Sequence, residues 1–195
     1  TEIKQTVTEL TQWTPEKISK NPKNYLLFLQ ENATESLEDL KTGKVSNSMK
    51  LERMKLELSN TSDKLSQAES ALEELKALYR NDEFPTSWST LKYENAGQLK
   101  KGIITLAKDI QSWGKKNEAY KVAVSKLEKN NREINSARGK AQSLLSEIST
   151  NLEIIAIEEI SADIEDTLID MGAALAGIHA VMSSSTPETL SVEDV

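Results

Sequence analysis

Few side chains in this sequence are able to do chemistry. His179 is the only histidine and there is no cysteine. Disulfides, thiolate metal sites and cysteine nucleophiles are therefore excluded. With no second histidine to share a metal, His179 reads as a packing or surface residue on a helix. Ser183, Ser184 and Ser185 follow it. A serine nucleophile needs a base on its oxygen and a third group to orient that base, and nothing in the local pattern poises one. The seven glycines form neither GxGxxG nor GxxxxGK[ST], so no phosphate loop is visible. The acids Glu158, Glu159, Asp163, Glu165 and Asp166 read as a solvated helix face rather than a divalent-cation site. The expectation is a non-catalytic protein without cofactor or metal.

The elements that would position these residues are long helices. Charged residues make up 28% of the 195 residues, aromatics 5%, and only seven Gly and four Pro punctuate the chain. Such composition points to an all-α protein with few loops. Leu51, Met54, Leu58, Thr61, Leu65, Ala68, Leu72, Leu75 and Tyr79 recur in alternating steps of three and four, the spacing of a coiled-coil seam. The phase continues backward through Asn47, Lys44, Leu40, Leu37, Ala33 and Leu26. One helix from 22 to about 80 is expected, opened by Asn21-Pro22 with Pro at the first helical position. A tip follows at 81–85.

A second seam runs Leu99, Ile103, Leu106, Ile110, Trp113, Asn117, Tyr120, Val124, Leu127, Asn131, Ile134, Arg138, Ala141, Leu145, Ile148, Leu152 and Ile155. Trp88 and Leu91 are read as the start of this helix. Two long helices joined by so short a tip fold back on each other, which gives a long antiparallel hairpin over 22–155. Asn117, Asn131 and Arg138 at seam positions weaken the seam and fix its register. The phase slips near Ile155, which places a break between about 149 and 157. A last helix at 157–183 and a mobile tail at 184–195 follow, and 1–20 forms a short separate amphipathic helix.

The net charge of −7 conceals an asymmetry. Residues 98–140 carry eleven Lys/Arg against four Asp/Glu, whereas 147–195 carry eleven Asp/Glu and no Lys or Arg. A basic helix meeting an acidic one, within the chain or between copies, fits this pattern, as do two solvated faces. The acidic balance argues against nucleic acid as a partner. The start of the sequence has no basic region followed by an apolar run, so no secretory signal is expected. No apolar stretch of about 18 residues is present, which argues against an ordinary transmembrane helix.

Three features are candidates for binding. Ile3, Val7, Leu10 and Trp13 give the first helix an apolar stripe that can lie on a membrane or dock on the bundle. Gly172, Ala176 and Ala180, spaced by four, permit close approach of another helix. Phe84 and Trp88 at the hairpin tip would suit a neighbouring subunit or staple the tip. A two-helix hairpin buries one narrow stripe per helix, and the physics therefore favours self-association, a homo-oligomer built from hairpins.

The layout resembles the phage-shock protein A family. The resemblance covers about residues 1–155: a short first helix, the AsnProLys step at 21–23, a helix of nearly sixty residues, a tight tip, and a returning helix with LysLeuGluLysAsnAsnArgGluIleAsnSerAlaArg at 126–138. It implies an ESCRT-III-like bacterial protein that polymerises into rods or rings and remodels membrane, cytoplasmic and peripheral at the inner membrane. Ile3, Val7, Leu10 and Trp13 would then face lipid. Residues 96–145 are also similar to the C-terminal coiled coil of type III secretion needle-tip and filament proteins, which implies a secreted protein instead. A helical adaptor that binds a protein partner through the acidic helix is the third reading.

Overall fold

The computed structural model describes residues 12–157 and 163–185. Their order is α1 (Pro15–Lys20), α2 (Pro22–Asn81), β1 (Thr86–Trp88), β2 (Leu91–Tyr93), α3 (Ala96–Ile157) and α4 (Asp163–Ser185). The fold is all-α apart from one small hairpin, and a helix of about sixty residues pairs with another of similar length. The chain divides into two compact units, one drawn from 1–49 and 127–190, the other centred on 50–126. Both long helices contribute to both units.

The start of α2 follows the expected chemistry. Thr14 caps α1, its Oγ1 accepting from the Lys17 N–H at 3.4 Å, with Pro15 in the first turn. Asn21 ends α1 and its carbonyl accepts from the Tyr25 N–H at 3.1 Å, so the chain turns directly into Pro22. Asp82 then stops α2 in the left-handed region, with φ 52°, a conformation that Asp tolerates better than most residues.

The first unit is a three-helix core. Leu26, Ala33 and Leu40 of α2 and Ile134, Ala141 and Ile148 of α3 are buried in the expected seam. Each helix also buries a second stripe. On α2 it is Tyr25, Leu29, Asn32 and Ser36, and on α3 it is Ala137 and Leu144. Leu168, Met171, Leu175 and Ile178 of α4 complete the cluster. Side chains this deep each contribute about 1.5–3 kcal/mol relative to water. Asn47 holds the register, its Nδ2 donating to Asn131 Oδ1 at 2.8 Å and to the Leu127 carbonyl at 3.0 Å.

The second unit has only two helices and the hairpin. Leu51, Ala68, Leu75, Leu99 and Asn117 are buried, while Leu58, Leu65, Leu72, Ile103, Leu106 and Trp113 are half-buried. Asn117 Nδ2 donates to Ser62 Oγ at 2.7 Å. Tyr79, expected in the seam, is exposed, because the seam ends at Leu75 and Leu78 instead packs toward the local core.

Two boundaries differ from expectation. Trp88 and Leu91 do not begin α3. They form an antiparallel strand pair with Trp88 opposite Leu91 and the turn at Ser89-Thr90, Ser89 having φ 51°. The helix starts at Ala96 because Asn95 caps it. Asn95 Oδ1 accepts from the Gln98 N–H at 3.0 Å, while Gln98 Oε1 reaches back to the Glu94 N–H at 2.9 Å. This reciprocal arrangement is a capping box displaced by one residue. The expected break between 149 and 157 is also absent. The α3 helix runs to Ile157, and the phase slip reflects apolar residues moving round the same helix, with Ile154 exposed and Ile155 half-buried. Residues 158–162 and most of the expected tail lie outside the described residues.

Candidate functional site

Among the described residues, the constellation that looks most like chemistry lies in the three-helix core. Ser36 Oγ and His179 Nε2 stand 2.7 Å apart. The Ser36 hydroxyl also lies 2.7 Å from the Asn32 carbonyl one turn back. A serine has one proton, and giving it to Asn32 leaves Oγ to accept from His179 Nε2–H. His179 Nδ1 is then a buried acceptor with no hydrogen-bond partner. Burial holds the imidazole below its ordinary pKa, while the Asp39 carboxylate pulls it partly back up. The core therefore favours the neutral form of the ring.

This Ser–His pair lacks what nucleophilic catalysis needs. Ser36 and His179 are 1% and 3% exposed, which leaves no approach for a substrate. Asp39 acts on His179 through charge, without a bond to Nδ1. Ser36 sits inside a helix whose backbone N–H groups are already bonded, so none is free to stabilise an oxyanion. The pair does packing work, tying α4 to α2. His179 was expected as a packing or surface residue and proves to be the former, whereas Ser36 and Asn32 drew no expectation, because both lie off the seam phase.

Among the binding candidates, Ile3, Val7 and Leu10 lie outside the described residues. Trp13 is half-buried, its ring centroid 5.1 Å from that of Tyr25 and 5.9 Å from that of Phe28. It closes one end of the core. Phe84 and Trp88 are half-buried against Leu75, Tyr93 and Leu99. The Trp88 indole N–H donates to Glu74 Oε2 at 2.6 Å. Both rings thus pack on their own unit while staying partly exposed.

The small-residue row on α4 is divided. Gly172 is buried, and a Cβ there would collide with the Tyr25 hydroxyl. Ala176 and Ala180 are exposed. They share the outward face of α4 with Asp166, Ile169, Asp170, Ala173 and Gly177, all of them exposed. The window Asp166–Ser184 has a mean hydropathy of 1.2, long and apolar enough by length and composition to cross a membrane, with 33% of it buried. No unbroken apolar run marks it, because Asp170 and His179 interrupt the stretch.

Sequence reasoning also missed a hollow of about 250 Å³ on the second unit, lined by Lys76, Tyr79, Arg80, Lys100, Ile103 and Ile104. Its signal was present in retrospect: three cations within one turn of exposed apolar residues. Among the described residues no group of three or more His, Cys, Asp or Glu is arranged to hold a metal. The side chains of Glu158, Glu159, Asp163 and Glu165 are outside the described set. No family model, curated protein or solved structure matches the chain.

Proposed function

We propose that this chain is a non-catalytic structural protein that self-assembles through its helices into a homopolymer. The outward face of α4 carries this reading. Its inward stripe is spent on the core, yet Ile169, Ala173, Ala176, Gly177 and Ala180 remain exposed on the opposite side. Small side chains there let a second helix approach closely, since interaxial distance is set by the residues at the contact. The same face begins with Asp166 and Asp170, and α4 contains no Lys or Arg. A cationic partner must come from outside this helix. Sedimentation velocity of the full chain from about 1 to about 100 μM should show mass rising with concentration. Ala176→Glu with Ala180→Glu should move that transition to at least about tenfold higher concentration. A wild-type chain that stays monomeric throughout defeats the reading.

A second reading, membrane association of an ESCRT-III-like kind, is supported by the hydropathy of Asp166–Ser184. It places the lipid contact on α4, since Trp13 is packed against Tyr25 and Phe28. Flotation with anionic vesicles tests it. Binding should survive deletion of residues 1–11 and fail when Ile169 and Ala173 are both replaced by Asp.

A further inference from the structure

We propose that the hollow on the second unit is the receptor for the outward face of α4 from another copy of the chain. The inference rests on the self-assembly reading and supplies its contact. In this hollow large exposed apolar surface and three cations coincide. Tyr79 and Ile104 are 40% and 46% exposed, and Lys76, Arg80 and Lys100 surround them.

The nearby acids are largely engaged elsewhere. Glu73 bonds Lys76 at 2.7 Å, Glu74 accepts from the Trp88 indole, and Glu94 pairs with Lys92 at 2.9 Å. Asp82 and Glu83 stand in the turn beyond α2. Arg80 and Lys100 form no ion pair among the described residues. The Glu73 carboxyl is held below the usual range by the bond and charge of Lys76 and, less, by the charge of Arg80.

The occupant is chosen by complementarity. On α4, Asp166, Ile169 and Asp170 fall at i, i+3 and i+4, which puts one apolar side chain beside two carboxylates on a single face. All three are exposed. Seated on the hollow, Ile169 covers Ile104 and Tyr79 while the carboxylates meet Arg80 and Lys100. The Ala173 and Gly177 positions beyond allow the two helices to approach. Donor and receptor are different surfaces, so the contact is head-to-tail. Each copy keeps one of each free, which generates an open chain or a closed ring rather than a two-fold dimer.

Charge reversal on each side tests the pairing. The substituted residues are exposed on helices, and circular dichroism confirms that each variant stays folded. Arg80→Glu with Lys100→Glu, and separately Asp166→Lys with Asp170→Lys, should each raise the concentration needed for assembly at least about tenfold at low salt. Mixing the two variants one to one should restore assembly, because each then offers the surface the other requires. Raising salt from about 0.05 to about 0.5 M should weaken wild-type assembly. If the reversed variants polymerise like wild type, the hollow is not the receptor, while self-assembly stands. If both fail to polymerise and mixing does not rescue them, the pairing is equally refuted. A wild-type chain that remains monomeric removes both proposals. Should the hollow variant assemble normally but lose binding to phosphatidylserine vesicles, the surface serves lipid and the inference is overturned.

Discussion

The two units are made from the same pair of long helices; the first adds α4 and the short α1, the second the β1–β2 hairpin. In the first, α4 lies against α2, and Leu26, Leu29, Ile148, Leu168, Leu175 and Ile178 are each at most 1% exposed. In the second, Leu99 alone reaches that depth among the large side chains. A two-helix seam covers each apolar residue on one side and leaves its flanks to water. A third helix closes the flanks and recruits a second stripe from each partner. Both units also set a tyrosine over a helical glycine, Tyr25 over Gly172 and Tyr93 over Gly102, but at different tightness.

The largest expected effect separates the two cores. Leu175→Ala should cost about 2–5 kcal/mol, because a fully enclosed site leaves a cavity. Leu72→Ala in the half-buried seam should cost no more than about 1 kcal/mol, since water and neighbours fill the gap. Urea unfolding of the two variants measures the difference, and equal losses would mean that the third helix adds little.

The glycines sharpen the contrast. Gly172→Ala drives a methyl into the Tyr25 hydroxyl and should cost about 1–3 kcal/mol. Tyr25→Phe in the same chain should recover most of that loss. At Gly102 the added Cβ would lie 3.3 Å from the Tyr93 hydroxyl. Here the helix-propensity gain of up to about 1 kcal/mol offsets a small shift of the ring. Gly102→Ala should therefore change stability little, as thermal melts would show.

Acid should distinguish the units next. His179 is buried and its pKa is lowered from the ordinary 6.5. Above that value the ring is neutral in folded and unfolded chains alike. As pH falls through 6.5 the unfolded chain binds the proton first, so stability declines toward the folded-state value, by at most about 1.4 kcal/mol per pH unit. His179→Gln should flatten urea midpoints between pH 7 and 5.5. An unchanged slope would mean that the ring is not the titrating group. The smallest effect is expected at the Trp88–Glu74 bond. Glu74→Gln should cost under about 1 kcal/mol, because the pair is solvent-exposed.

The seam was readable because heptad spacing is a one-dimensional signal. Asn47, Leu51, Thr61, Ala68 and Leu75 are buried at that spacing on α2, as are Leu99, Asn117, Leu127, Ile134, Ala141 and Ile148 on α3. The register role of Asn131 and Asn117 followed from their seam positions, and both take part in hydrogen bonds across the helix pair. The hairpin at 86–93 was overlooked in favour of a helix start at Trp88. The Asn95/Gln98 spacing, a local capping signal, would have moved that start to Ala96. Of the candidate surface, Ala176 and Ala180 are exposed, Gly172 is buried, and Phe84, Trp88 and Trp13 are half-buried against their local clusters.

Periodicity and charge order alone determined that two helices of about sixty residues pair along a seam, with an acid-only helix after them. Those are properties of neighbours along the chain, fixed by 3.6 residues per turn and by composition. The 3–4 spacing of Leu168, Met171, Leu175 and Ile178 also marked the inward stripe of that last helix, which the structure buries. Which faces of α2 and α3 receive that stripe was decided only by the tertiary structure. The choice depends on Tyr25, Leu29, Ser36, Ala137 and Leu144, residues off the seam phase that are buried once a third helix is present. That helix contributes His179 to the core and leaves Asp166, Ile169, Asp170, Ala176 and Ala180 in water.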